Sequence, residues 1–199
     1  MSMKFLTRIS LFSLGLAGVL LLVFPISWFP TFYDVRYMGI CSLVGACAIY
    51  LLPRLIRVVP NAPNAEQKNQ GVNILQFLLT FIILSNALGD LGLYQLYKFG
   101  FEFDKLMHFL NPMLILLLFP LFLQKRFEIQ KQQALALTFG IMIFVGVGWE
   151  LFEYLTDQVF KTHIYGIYGT DINNDTKYDL IFDAVGSTVG LLLSLYTKK

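Results

Sequence analysis

The stretch DKLMHFLNPMLILLLFPLFL, residues 104–123, joins a charged start to a long apolar run. A helix needs about 20 mostly apolar residues to cross the hydrocarbon core of a bilayer, and the run at 106–123 is long enough. Similar runs occur on both sides of it. They predict an all-α, polytopic integral membrane bundle of about six transmembrane helices, at residues 9–29, 37–53, 72–88, 106–123, 133–155 and 180–196.

The composition excludes an ordinary soluble domain. Of the 199 residues, 56% are hydrophobic, 16% are aromatic and 14% are charged. The six runs use most of the chain, so residues 1–199 are expected to form one transmembrane domain.

The first run is long for a secretory signal and no small-residue cleavage site follows it, which predicts a retained helix. Cys41 and Cys47 point to different faces of the second helix, so a disulfide between them is not expected.

The distribution of charge predicts the orientation. Ten of the fifteen Lys and Arg residues lie in the segments that contain the chain ends or join helices two to three and four to five. By the positive-inside rule, both termini are then cytoplasmic and the protein is a multi-pass protein of the inner membrane. Eleven of the thirteen Asp and Glu residues lie in the opposite segments or helix ends. The net charge of +2 therefore reflects topology, and nothing indicates a nucleic-acid partner.

Polar residues mark the outer end of the fourth helix. Asp104, His108 and Asn111 are four and three positions apart, which puts all three on one helix face. Pro112 follows and cannot donate a hydrogen bond to the carbonyl of His108. A fainter pair, Asn86 and Asp90, occupies the outer end of the third helix. These side chains are expected to line a common pocket.

The fifth helix ends in a second polar stripe. Glu150, Glu153 and Asp157 share one face at its outer end. Gly146 and Gly148 lie one turn deeper, where small residues are expected to allow a close helix approach. The stripe therefore lies beside a predicted packing surface.

The sixth helix begins with a third stripe. Asp179 and Asp183 are four positions apart, and Gly186 and Gly190 continue the same face. A seam of small residues at this spacing predicts close packing, against helix five or against a helix of a partner protein.

The three stripes are expected at one depth, because helices four and six enter the membrane from outside and helix five leaves to the outside. Up to five carboxylates and one imidazole would then share an outward-facing pocket. So many like charges cannot all remain ionised without compensation. Three arrangements provide it: a bound divalent metal, shared protons, or pairing with Lys105 and Lys177.

A metal site is favoured, because carboxylates and histidines at these spacings hold metals in helical bundles and suit Zn, Mn, Mg or Fe. The alternative is a knot of salt bridges and hydrogen bonds that only fixes three helix ends. Ionisable residues inside membranes usually serve function. The pocket residues all come from the polar stripes or the segment before helix six: the predicted metal ligands are Asp104, His108, Glu150 and Asp179, the candidate catalytic residues are Glu153 and Asp183, and the other pocket residues are Asn111, Asp175 and Asp90.

The segment before helix six imitates a calcium-binding loop only poorly. Thr176 stands where the turn glycine is needed and Phe182 where a bidentate glutamate is needed. A surface turn that carries acids into the main pocket is the favoured interpretation, and His163 is expected to be a solvated loop residue. The residues at alternate positions of this segment, which correspond to the ligand positions of such a loop, are Asp171, Asn173, Asp175, Lys177 and Asp179.

Several short motifs together resemble the YjdF-type bacterial inner-membrane proteins, which are similar in turn to the VanZ-like family. The resemblance covers roughly residues 80–196 and implies a helical envelope protein with motif positions at Asp104, His108, Glu150, Glu153, Asp175 and Asp179. Asp183 departs from the small apolar residue expected there in YjdF-type members, which leaves its role open. The motifs that carry the resemblance are DKLMHF (104–109), WELFE (149–153), GT (169–170), and the string Asp175, Asp179, Asp183, Gly186 and Gly190.

Three functions are compatible with these features. The first is a metal-dependent membrane hydrolase or transferase that acts on a lipid or lipid-linked envelope precursor. The second is binding or transport of a cation, a proton or an amine-bearing ligand, for which Asn73 and Gln76 are the polar candidates for a path inward. The third is a structural accessory subunit. No glycine-rich nucleotide loop or nucleophile motif points to another class of enzyme.

Overall fold

Backbone groups inside a bilayer must bond to one another, and an apolar run achieves this as a helix. The computed structural model describes residues 3–30, 32, 34–162 and 172–196, and all regular structure in these residues is helical. Two short 3₁₀ helices, Ile26–Trp28 and Leu93–Phe99, lie between longer elements. The long helices, in chain order, are α1 (Met3–Val23), α2 (Val35–Ile56), α3 (Ala65–Asp90), α4 (Phe103–Phe127), α5 (Lys131–Phe160) and α6 (Ile172–Tyr196).

The predicted all-α class and the six helices are confirmed, but several predicted helix ends are wrong. The first helix ends at Val23 and not at residue 29, because Pro25 lacks an N–H and disfavours a helical conformation in the residue before it. The other helices continue beyond their apolar runs into polar turns. The largest difference is in α6, which begins at Ile172 and not at residue 180.

Helix α4 lies at the centre of the arrangement and packs against α3, α5 and α6. Helices α1 and α2 pack against each other and against α3. Among the described residues, α3 and α5 share no extended contact, so α4 separates them. The central position brings the polar outer end of α4 close to the outer ends of its neighbours.

The outward faces of the helices are apolar. Phe144 on α5 is 80% exposed and Leu55 on α2 is 78% exposed, which is unfavourable in water but favourable in hydrocarbon. All six long helices are long and apolar enough to cross a membrane. The chain is therefore a multi-pass membrane protein.

Polar side chains at the inner ends of the helices tie neighbouring helices together. Gln76 Nε2 donates to the carbonyl of Ile49 at 3.1 Å, and Arg57 donates to Asn73 Oδ1 at 2.8 Å. Asn73 and Gln76, the polar candidates for an inward path, therefore join α3 to the end of α2.

A surface contact joins the start of α3 to the end of α4. Glu128 accepts a hydrogen bond from Asn64 at 3.1 Å and lies 3.1 Å from the Lys68 ammonium. These donors, Asn64 first, lower the pKa of the Glu128 carboxyl from its ordinary value. Exposed contacts of this kind contribute little to stability, so the packing of the helices determines their positions.

Candidate functional site

The polar cluster lies where the outer end of α4 meets the outer end of α6. Asp104 occupies the first turn of α4. On α6, Asp175, Asp179 and Asp183 follow one another at intervals of four residues, so they lie on one face. This face is turned toward α4, with Asp175 and Asp179 buried.

Lys105 is at the centre of the acids. Its ammonium donates to Asp175, to Asp179 Oδ1 at 2.7 Å, and to Asp104 Oδ2 at 3.4 Å. The side chain is 7% exposed, so these ion pairs are shielded from water. Of the two lysines considered for pairing, Lys105 is in the cluster and Lys177 is exposed on α6.

His108 lies between three carboxylates. Its Nδ1 is 3.2 Å from Asp183 Oδ1, and its Nε2 is 3.7 Å from both Asp104 Oδ1 and Asp179 Oδ1. Ligand atoms from Asp104, His108 and Asp179 all lie within 4.8 Å of one another, close enough to surround one metal ion. Three of the four predicted metal ligands are therefore brought together.

The fourth predicted ligand, Glu150, lies beside this group. It is buried, and its Oε1 has no hydrogen-bond partner among the described residues. It is within electrostatic range of His108, Asp104 and Asp183. Glu153, one turn further along α5, is half-buried. Asp157 lies outside the cluster and accepts a hydrogen bond of 2.6 Å from Thr162.

The glycines of α6 pack against α4, which corrects the expectation of helix five or a partner helix. A Cβ on Gly186 would collide with the backbone carbonyl of Phe109. A Cβ on Gly190 would lie 2.5 Å from the carbonyl oxygen of Met113. These two glycines let α6 approach α4 closely enough for its aspartates to reach Lys105.

The two glycines of α5 have different surroundings. A Cβ on Gly146 would lie 2.8 Å from Asp183 Oδ2, so this glycine makes room for the aspartate. Around Gly148 no atom of the described residues lies within 4 Å of the Cβ position. The prediction that Gly148 permits a close helix approach is therefore wrong, because its surface is open.

A cavity of about 220 Å³ adjoins the cluster. We call it the α4 cavity, because α4 forms one wall. Residues of α3, α5, α6 and the 3₁₀ helix Leu93–Phe99 complete the lining. Asp104, His108, Asn111 and Asp183 form its acidic end, and apolar side chains form most of the remainder. These apolar and aromatic residues are Ile82, Tyr94, Met107, Pro112, Ile115, Met142, Val145 and Trp149.

Asn86 and Asp90, the two residues of α3 that were predicted to line the pocket, have different positions. Asn86 lines the α4 cavity and accepts a 2.9 Å hydrogen bond from the Tyr94 hydroxyl. Burial raises the pKa of Tyr94 above its ordinary value, and nearby acids including Asp104 add to the shift, so the hydroxyl stays protonated as a donor. Asp90 does not line the α4 cavity. It lies within electrostatic range of Asp34.

The surface turn predicted before helix six is wrong for residues 172–179, and the less favoured calcium-loop pattern does not fit them either. Residues 172–179 form the first two turns of α6, and a helix cannot wrap its side chains around one calcium ion as that loop does. The acids at 175 and 179 instead face Lys105. His163, Asp171 and the glycine–threonine pair at 169–170 lie outside the described residues.

The sequence offered Lys105 and Lys177 together as partners of the acids, but it did not indicate that Lys105 is the one at the centre of the cluster, or that Tyr94 and Trp149 line the cavity. Lysine next to an aspartate at a helix start gives no signal of its own, since such residues are usually solvated. One signal was available: Asp175, Asp179 and Asp183 at intervals of four form an acidic helix face that requires a buried cation.

Comparison with known proteins supports the membrane assignment and leaves the reaction open. No solved structure matches the chain. An uncharacterized protein of Thermotoga maritima is 31% identical over 112 residues, which are 55% of this chain and 55% of that protein. The chain thus spans about half the length of this relative.

A family match covers most of the sequence. Residues 12–199 match the family described as "Predicted membrane protein (DUF2238)". The match is loosely compatible with the YjdF-type resemblance, while the relation to VanZ-like proteins stays a prediction. Because the match extends over more than half of the sequence, the chain belongs to the DUF2238 family of membrane proteins.

Proposed function

We propose that this protein is a membrane enzyme, a hydrolase or transferase, that uses a divalent cation at Asp104, His108 and Asp179 to act on a lipid or lipid-linked substrate of the cell envelope. The observation that carries the proposal is the position of His108. Its Nε2 faces two carboxylates at 3.7 Å, and its Nδ1 faces Asp183 at 3.2 Å. Metal-binding histidines usually have this arrangement, with the second ring nitrogen held by a carboxylate.

The charge of the cluster supports a bound cation. Among the described residues, Lys105 and His108 are the side chains of the cluster that can carry positive charge, and they lie among six acids at the outer ends of α4, α5 and α6. Uncompensated charge inside a membrane is expensive, and a divalent cation would compensate much of it. The six acids are Asp104, Glu150, Glu153, Asp175, Asp179 and Asp183.

Lys105 and the cation would share two ligand residues, because Asp104, whose Oδ2 lies 3.4 Å from the Lys105 ammonium, also belongs to the candidate metal group. Asp179 Oδ1 accepts from Lys105 at 2.7 Å and also belongs to the candidate metal group. Asp175 bonds to Lys105 independently, so the ammonium keeps a partner when Asp179 turns toward a cation. The ion pair therefore does not prevent cation binding at this group.

Each remaining carboxylate has a distinct part in the proposed reaction. A divalent cation would polarise a phosphoryl or carbonyl oxygen of the substrate as a Lewis acid. Glu150 is buried, lies beside Thr176 of α6 and is within electrostatic range of His108, which suits it to accept the proton of the attacking group. Glu153 is the neighbouring alternative. Asp183, first considered as a base, is a positioning residue for His108.

The substrate class is inferred from the depth of the site. The cluster lies near the outer ends of membrane-spanning helices, and its cavity is mostly apolar. A water-soluble metabolite would gain little from such a wall, whereas a lipid would bring its own hydrocarbon part. We therefore favour a lipid or lipid-linked molecule of the outer leaflet.

The test is the cation content of the purified protein. The protein is stripped with a chelator in detergent, dialysed against zinc or manganese, and measured by elemental mass spectrometry. We expect about one ion per chain in the parent and a large loss in Asp104→Asn, His108→Ala and Asp179→Asn. Asp157→Asn is the matched control, because this α5 aspartate binds Thr162 outside the cluster.

Two outcomes would contradict the proposal. One is a parent that retains neither cation after reconstitution while its unfolding transition shows that it is folded. The other is equal cation content in all four variants, which would put any bound ion elsewhere on the protein.

A further inference from the structure

We propose that the substrate is a lipid that enters sideways from the bilayer, lays one hydrocarbon chain in the α4 cavity and donates a hydrogen bond to Asn111 from a hydroxyl or amide near its head. This inference rests on the proposed function and adds to it the class of lipid, its route and its orientation. Three observations lead to it: where the cavity opens, how its lining is divided, and which of its polar atoms has no hydrogen-bond partner among the described residues.

The α4 cavity opens toward the lipid. Val145 and Trp149 line it, yet they are 45% and 41% exposed on the outside of α5. On the opposite side the wall is formed by Ile82 and Asn86 of α3. Because α3 and α5 share no extended contact among the described residues, a gap between them leads from the bilayer to the wall formed by α4.

The lining residues divide the cavity into an outer, polar part that suits the head of a lipid and a deeper, apolar part that suits its hydrocarbon chain. On α4, Asp104 and His108 lie at the outer end, and Ile115 lies deepest among the lining residues of this helix. Ile115 lies eleven positions after Asp104, which is about 16 Å along a helix. Apolar side chains of Pro112 on α4 and Met142 on α5 line the deeper part. The cavity has a volume of only about 220 Å³. Because this space is small, it suits one hydrocarbon chain better than two.

Asn111 indicates which polar group the lipid carries near its head. It lines the cavity one helical turn below His108, and its buried Oδ1 accepts no hydrogen bond from the described residues. A buried carbonyl oxygen without a donor is unfavourable. The complement is an O–H or N–H group on the lipid, placed just below the group that reaches His108.

The inference can be tested with two photoreactive lipid probes of identical chain length. One is an N-acylethanolamine with a diazirine in its chain, which carries both an amide N–H and a hydroxyl. The other is the methyl ester of the same diazirine fatty acid, which has no donor. The full chain in lipid nanodiscs is irradiated with each probe, and the labelled residues are mapped by mass spectrometry.

We expect the N-acylethanolamine to label the parent at Ile115 and Met142, with about tenfold less labelling by the methyl ester, as the loss of one buried hydrogen bond implies. Asn111→Leu should reduce labelling by the first probe to the level of the second. Val145→Trp should block the opening and reduce labelling by both probes. Val147→Trp is the matched control, because Val147 is 57% exposed on α5 and does not line the cavity.

Equal labelling of Val145→Trp and Val147→Trp would overturn the sideways route. Equal labelling of the parent by the two probes would overturn the donor requirement. Cation content is measured on the same samples, so the two proposals are separated. A parent that binds no cation but is labelled at Ile115 contradicts the proposed function alone, while full cation content without cavity labelling contradicts this inference alone.

Discussion

At the scale of single residues, Lys105 is the group on which the cluster depends most. Replacing it with Met leaves Asp175 and Asp179 buried without their cation. Removing one partner of a buried ion pair typically costs about 3–5 kcal/mol, so we expect Lys105→Met to lower Tm strongly in detergent. A divalent cation should restore part of the loss, because it replaces the missing positive charge.

The control for this experiment is Lys177→Met, which removes an exposed lysine from the same end of α6. Its Tm should stay close to that of the parent, since exposed charges contribute little. Equal stability of the two variants would show that the ion pairs of Lys105 do not hold α4 to α6.

Asp183 gives a second prediction at this scale. It contacts His108 Nδ1 at 3.2 Å, and partners of this kind typically change metal affinity by about 10–100-fold when they are replaced. We expect Asp183→Asn to weaken zinc binding by such a factor while the stoichiometry stays near one per chain. Titration with a competing chelator measures the affinity. Complete loss of stoichiometric binding would instead make Asp183 a direct ligand.

The sequence predicted the candidate residues better than their partners. The spacing of Asp104 and His108 puts both on one face whatever surrounds them, so their pairing was predictable. The sequence offered Lys105 and Lys177 as partners of the acids, but which of them neutralises Asp175 and Asp179 was not predictable, because Lys105 lies 70 and 74 residues away in the chain. Such a contact depends on the rotation of two helices about their axes, which no local spacing determines.

At the scale of helices, the contact between α4 and α6 determines whether the cluster can form. Gly186 lies against the backbone carbonyl of Phe109, and backbone cannot move aside as the end of a side chain can. We expect Gly186→Ala to destabilise the protein by about 1–3 kcal/mol, the usual cost of overpacking. Thermal unfolding in detergent measures the change.

Gly148→Ala is the matched control for the α6 variant. The Cβ added there meets no atom of the described part of the chain within 4 Å, and alanine favours a helix over glycine by about 1 kcal/mol. Its Tm should be equal to that of the parent or higher. A Gly186→Ala variant as stable as Gly148→Ala would mean that α6 does not approach α4 closely.

The helices themselves were predictable from hydropathy, whereas their ends and neighbours were less so. An apolar run shows where a helix crosses hydrocarbon, but α6 continues for two polar turns beyond its run because those turns bury Asp175 and Asp179 against α4. The small residues of α6 correctly indicated a close neighbour. They carry no information on which helix that is, so α5 was expected where α4 is found.

At the scale of the whole molecule, the proposed site is useful to an envelope enzyme only if it faces outward. The cluster lies at the same end of the bundle as the 3₁₀ helix Leu93–Phe99, and the segment between α2 and α3 lies at the opposite end. Lys and Arg residues are concentrated in the segments at the end of the bundle where α2 is joined to α3. The positive-inside rule therefore puts Asn61 in the cytoplasm and Phe99 outside.

Cysteine labelling tests this orientation in a chain carrying Cys41→Ala and Cys47→Ala, which removes the two native thiols. Phe99 is 85% exposed and Asn61 is also exposed, so a cysteine at either position can react. In spheroplasts we expect a membrane-impermeant maleimide to label Phe99→Cys at once and Asn61→Cys only after permeabilisation. The reverse pattern would put the acidic cluster on the cytoplasmic side, and the substrate would then have to come from the inner leaflet.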